Sequence, residues 1–234
     1  MSDGNPETDA TRDATEGARD RRPARSPERV REVYDTIAAH FAETRHHAWP
    51  ETREFLGGRS GTVGLDIGCG NGRNAGPLAE RVDHTLGLDA SRGLLTEARS
   101  RVGDRVALLQ GDAIRLPVDA GSVDIALYIA TLHHLPDRGT RRGSLAELAR
   151  VLAPGGAGLV SVWSTTHDRF DADPDGTGGF DTTVDWTLPD GATVPRFYHI
   201  YAPEEFEADL DASPLTVEAT WLASGNCYAR VRSE

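Results

Sequence analysis

Lysine is absent from this 234-residue chain, so all 25 of its basic residues are arginine, set against 37 acidic ones. An acidic, lysine-free surface points to work in high salt, or to solubility alone. The net charge of −12 does not exclude a polyanionic partner, because concentrated salt shortens electrostatic reach to about 3 Å at 1 M. Cysteine is scarce: Cys69 and Cys227 form no CxxC pair, and no histidines sit at metal-ligand spacing, which argues against a disulfide framework and a zinc site. Membrane-length apolar runs and an apolar leader are missing too, so a cytoplasmic protein is expected.

What is present reads as one α/β domain. Residues 1–26 hold Asp, Glu, Arg, Thr, Gly and Pro with nothing to build a core, and read as a disordered tail. Apolar residues at helical spacing from Pro27, then Trp49 to Leu56, give two N-terminal helices (27–58). Beyond them "TVGLDIG", "HTLGLD", "VALLQGD", "VDIALYIA" and "GLVSVW" read as strands, separated by helical segments such as "SRGLLTEARSRV" and "RRGSLAELARVL". That alternation implies a mainly parallel sheet with helices on both faces. The final "LTVEATWL" and "CYARVRS" form a hairpin that adds an antiparallel strand. Thr165 to Asp190 reads as a long loop, part of an insertion over 165–202.

"LDIGCGNG" ends the first strand. Gly68, Gly70 and Gly72 let the backbone approach a ligand closely. A dinucleotide site would need a third glycine where Arg73 stands, and Asp66 would repel a pyrophosphate. Asp89 follows the second strand and Asp112 the third, so three acids are expected at one crevice. A carboxylate after the second strand can accept ribose hydroxyls, one after the third can meet an adenine amino group, and Asp66 favours positive charge. Adenosine with a cationic tail is S-adenosyl-L-methionine. Asn71, Ala90, Ala113 and Ile129 complete the expected surround of that cofactor.

The acidic glycine loop, "GLDAS", "GDA", "DIALYIATLHHL" and "VLAPGG", in that order from Gly61 to Trp163, resemble class I S-adenosylmethionine-dependent methyltransferases. The resemblance implies a Rossmann-like fold: a seven-stranded, mainly parallel sheet with the C-terminal antiparallel hairpin strand. "VYDTIAAHFAETRHHAWPE", "LHHLPDRGTRRGSLAELARVLAPGG", "VDWTLPDGATVPRFYHIYAPEEFE" and "NCYAR" further resemble the tRNA wobble-uridine carboxymethyl methyltransferases. Two departures are Cys227, where that family has an aromatic, and the acidic, glycine-rich stretch around 168–181, which matches nothing in it. The resemblance implies methylation of a carboxymethyl group on the first anticodon uridine of tRNA, and a small zinc-binding partner subunit. It also implies that the N-terminal helices cover the cofactor, bringing Tyr34 and Arg45 to it.

A carboxylate acceptor is ionised near neutral pH and needs orientation rather than a base. "RFYHIY" (196–201) offers Arg196, Tyr198 and His199 as donors, and Phe197 or Tyr201 as a ring for an everted base. The alternative is an edge strand whose rings fill the core. His133 and His134 pose the same choice after the fourth strand, with His133 the candidate for the acceptor side. Arg138, Arg141 and Arg142 either meet phosphates or start a solvated helix. A methyltransferase for a quinone or lipid precursor is the alternative function, and a non-catalytic cofactor-binding subunit a third.

Overall fold

The computed structural model describes residues 25–170 and 178–233. The expected tail therefore lies, apart from Arg25 and Ser26, outside the described residues, as does 171–177. Ser26 caps the first helix: its Oγ accepts the Arg29 N–H at 3.2 Å, and Pro27 takes the first helical position. Helix α1 (Pro27–Thr44) buries Val33, Ile37 and Ala38, and α2 (Pro50–Leu56) buries Phe55 and Leu56.

From there strands and helices alternate: β1 (Gly61–Ile67), the short α3 (Ala75–Leu78), β2 (Val82–Asp89), α4 (Arg92–Val102), β3 (Ala107–Gln110), β4 (Val123–Ile129), α5 (Arg138–Val151) and β5 (Leu152–Trp163). After these come β6 (Phe180–Thr187), β7 (Thr193–Ile200), α6 (Pro203–Asp211), β8 (Thr216–Ala223) and β9 (Asn226–Arg232). The main sheet has seven strands in the order β3-β2-β1-β4-β5-β9-β8. Its first five strands are parallel, and β9 runs antiparallel to β5 with Leu159 opposite Arg230. This is the expected sheet and the expected hairpin.

The pleat of β4 splits its residues between two cores. Ala126 and Tyr128 join Leu145 and Leu148 of α5 and Phe206 and Leu210 of α6, whereas Ile125, Leu127 and Ile129 join Phe55 and Leu56 of α2. Burial on both faces is why β4 reads as an almost unbroken apolar run.

One sequence-based expectation is corrected. Thr165 to Asp190 is not one loop: residues 180–187 form β6, paired antiparallel with β7. Its sequence, "FDTTVDWT", hides the strand because Asp181, Thr183, Asp185 and Thr187 face outward, and a polar Thr182 shares the inner face with Val184 and Trp186. The β6–β7 hairpin lies across α1 at the carboxyl end of the main sheet. Among the described residues no helix is long and apolar enough to cross a membrane.

Candidate active site

A cavity of about 550 Å³ is lined by the loops beyond the carboxyl ends of β1, β2 and β4, where ligands sit in open α/β sheets. The three glycines after β1 have φ of 69°, 53° and 77° but serve different neighbours. A Cβ on Gly68 would stand 2.2 Å from Thr131 Oγ1, and one on Gly72 3.0 Å from Val102 Cγ1, so these two let the fold close up. Only Gly70 leaves room in the cavity, since its Cβ would meet nothing nearer than Phe41 at 3.8 Å. Gly72 does not line the cavity.

Asp89 is fixed across this loop. Its Oδ2 accepts the Gly70 N–H and its Oδ1 the Ser91 N–H, both at 2.8 Å. Each oxygen retains a lone pair for a hydroxyl. Burial raises this carboxyl to about 6, against those bonds. Asp112 holds the Ile114 N–H at 3.1 Å and, with Ala90, Ala113 and Ile129, lines the adjoining wall.

Asp66 departs from expectation: it does not line the cavity but lies beneath the loop, 1% exposed. Neither oxygen has a hydrogen bond, the approach of the Ala75 backbone falling short of one. Burial and then the Asp89 charge push it up to about 7. Asn71 donates to the Arg45 carbonyl at 2.8 Å, tying the loop to the end of α1. Its Oδ1 is left buried without a partner, as is that of Asn74. Open acceptors clustered around one loop suit a ligand that brings N–H donors and positive charge. The Arg45 and Arg73 guanidiniums, over the rings of Trp186 (5.2 Å) and Trp49 (5.5 Å), belong to the same lining and can meet a carboxylate.

At the other end of the cavity stand His133, His134 and Arg196. Trp163 N–H donates to His133 Nδ1 at 3.0 Å, which leaves the His133 proton on Nε2. His134 Nδ1 lies 2.9 Å from the Phe197 carbonyl, an acceptor only, so that nitrogen donates and Nε2 accepts from the Tyr34 hydroxyl at 2.8 Å. Burial first, then the neighbouring His134 and Arg196, holds His133 well below the ordinary imidazole range; burial takes His134 down to about 3. His134 is fully committed, while His133 lines the cavity with Arg196. Arg196 is buried, its guanidinium over Trp186 (4.9 Å) and Tyr198 (5.2 Å), with Nε unpartnered.

Residues 65–160 match the family described as "Methyltransferase domain". The chain is 41% identical over 140 residues to the tRNA (carboxymethyluridine(34)-5-O)-methyltransferase of Mus musculus, covering 59% of this chain and 20% of that one. It is 34% identical over 165 residues to the Schizosaccharomyces pombe protein of the same name, covering 69% of this chain and 68% of the relative. The chain belongs to this methyltransferase family. It spans about a fifth of the length of the vertebrate relatives it matches. Among solved structures, a methyltransferase in complex with the Haloferax volcanii Trm112 methyltransferase activator superposes with TM-score 0.63 at 19% identity, over 87% of this chain and 97% of that one. It shares the fold.

Placed on this member of the family, the expected acceptor residues separate. Arg196, Tyr198 and His133 line the cavity; His199 does not. It points to the opposite side of β7, held by Asp181 at 2.8 Å and Glu205 at 3.1 Å. Phe197 (7% exposed) and Tyr201 (0%) are buried and offer no ring to a base. The physical reason is parity, because alternate residues of a strand face opposite ways. Arg138 and Arg142 both bind Asp209 at 2.7 Å rather than standing free. The sequence reading missed Trp186, which donates to His40 Nδ1 at 3.1 Å and carries both Arg45 and Arg196 on its ring. Its signal was the inward-facing Val-Asp-Trp alternation of β6. It also missed Asn74 and Arg73 beside the glycine loop, and Trp163 at the end of β5.

Proposed function

We propose that this chain transfers the methyl group of S-adenosyl-L-methionine to the carboxylate of a carboxymethyl group on the wobble uridine of tRNA. The observation that carries this is the buried Arg196, its Nε unpartnered and its guanidinium facing, together with His133, the same cavity as the glycine loop. A donor without an acceptor suits an anion, and two imidazoles that burial makes weak bases suit a reaction that abstracts no proton. The cofactor supplies an electrophilic methyl on a sulfonium. Asp89 and Asp112 would hold its ribose and adenine, Arg45 or Arg73 its carboxylate, and Asn71 and Asn74 its ammonium. Arg196, His133 and Tyr198 orient the acceptor oxygen toward that methyl, and the rings of Trp186 and Tyr34 exclude water.

A small zinc-binding activator belongs to the same proposal, supported by the shared fold of the Haloferax volcanii complex and by β3 and β8 standing as the edge strands of the sheet among the described residues. The lysine-free composition supports a cytoplasm rich in salt. The test is transfer of labelled methyl to tRNA whose esters were first hydrolysed, in concentrated KCl, with and without the activator. Alkali-labile label is expected in tRNA, together with a loss of about 100-fold for Arg196→Ala at unchanged cofactor affinity. Label confined to small-molecule acceptors would instead point to a metabolite methyltransferase.

A further inference from the structure

Aromatic rings run from the floor of the cavity to its mouth. Tyr198 stacks on Trp163 with centroids 4.7 Å apart and planes inclined by 20°. Trp163 in turn meets His167 at 5.4 Å and 37°, and Phe170 leans on both at 5.9 and 5.8 Å. Trp163 and His167 are half-buried, Arg169 is exposed, and all three line the cavity.

The His167 ring is held in place. Its Nδ1 accepts the Arg169 N–H at 3.0 Å, so the free Nε2 carries the proton. Gly225 makes space for it, since a Cβ there would fall 2.6 Å from the ring. The stack continues directly from Tyr198, which lies beside Arg196. Phe197 and Tyr201 are buried, so the rings open to an incoming base at this end of the cavity are those of the rim.

We propose that His167, backed by Trp163, is the platform on which the RNA stacks the unpaired nucleobase adjoining the uridine that is methylated, with Arg169 meeting a phosphate of that strand. This rests on the reading of the acceptor as RNA. Every base has a π-face, so an aromatic platform beside an arginine fixes the strand without choosing its sequence. It also explains why a chain of net charge −12 places a cation at this rim.

The experiment uses an anticodon stem-loop RNA carrying 2-aminopurine immediately 5′ or 3′ of the target uridine, titrated with the full chain in the presence of S-adenosylhomocysteine. Stacking on the platform quenches one of the two probes. His167→Ala is expected to abolish that quench and weaken RNA binding at least about fivefold, and His167→Phe to restore both. Affinity for S-adenosylhomocysteine, unchanged in both variants, shows that they are folded. Wild-type quenching and affinity in His167→Ala would overturn the platform. So would an equal loss with free 5-carboxymethyluridine, which has no adjoining base. If the wild type binds and quenches the stem-loop but methylates no tRNA, the proposed reaction fails while the platform stands. If it binds no stem-loop, both fail.

Discussion

Asp66 sets burial against charge more sharply than its neighbours at the glycine loop. It is 1% exposed, without a hydrogen bond, and its carboxyl is pushed up to about 7, first by burial and second by Asp89. Because the folded-state value lies above the ordinary one, the folded chain prefers the protonated acid. The stability this group contributes is therefore full below about pH 4 and is lost as pH rises through about 7. In Asp66→Asn the ligand-free protein should unfold at a higher temperature than wild type, by a margin that widens from about pH 5 to about pH 8. The affinity of the wild type for S-adenosylmethionine should rise over the same interval while that of the variant stays level. Thermal unfolding and calorimetric titration at several pH values check both; a pH-independent margin would mean that the Asp66 charge is not what the fold pays for.

At the scale of elements, the β6–β7 hairpin completes the site by lying across α1. Trp186 is the joint: its Nε1 donates to His40 on α1, and its ring, 7% exposed, supports one guanidinium from each side of the cavity. Trp186→Ala should cost about 3–5 kcal/mol of stability, as the truncation of a large buried ring does. Trp186→Phe keeps a ring and loses one hydrogen bond, about 1 kcal/mol. Amide hydrogen exchange should show opening of β6 and β7 accelerated in the Ala variant by more than that of β1, β2 and β4, which follow the global loss of stability. Equal exchange throughout the chain would mean that the hairpin is held by β7 and α6 alone, through the Glu205–His199–Asp181 bridge.

At the scale of the whole molecule, a net charge of −12 opposes a polyanionic substrate. Salt weakens the local arginine–phosphate attraction and screens the global repulsion at once, and the two effects have opposite signs. The KM for tRNA should therefore change little between about 0.2 M and about 1 M KCl, where a basic RNA-binding protein would lose affinity by orders of magnitude. Steady-state kinetics across that range decide it; a steep rise in KM would mean that arginine contacts dominate the encounter. The linear chain already carried the parallel sheet, the terminal hairpin and most of the residues expected near the cofactor that line the cavity. Those features follow from local periodicity and from glycines and acids placed at strand ends, which adjacent residues encode. It could not separate Arg196 and Tyr198 from Phe197 and His199, because that depends on the strand's parity relative to a partner strand. Nor could it join Trp186 to His40, or Trp163 to His133 and His167: residues distant in sequence meet only when the hairpin closes over α1 and β5 ends beside the turn after β4, and the backbone amide of Trp163 then fixes which nitrogen of His133 carries the proton.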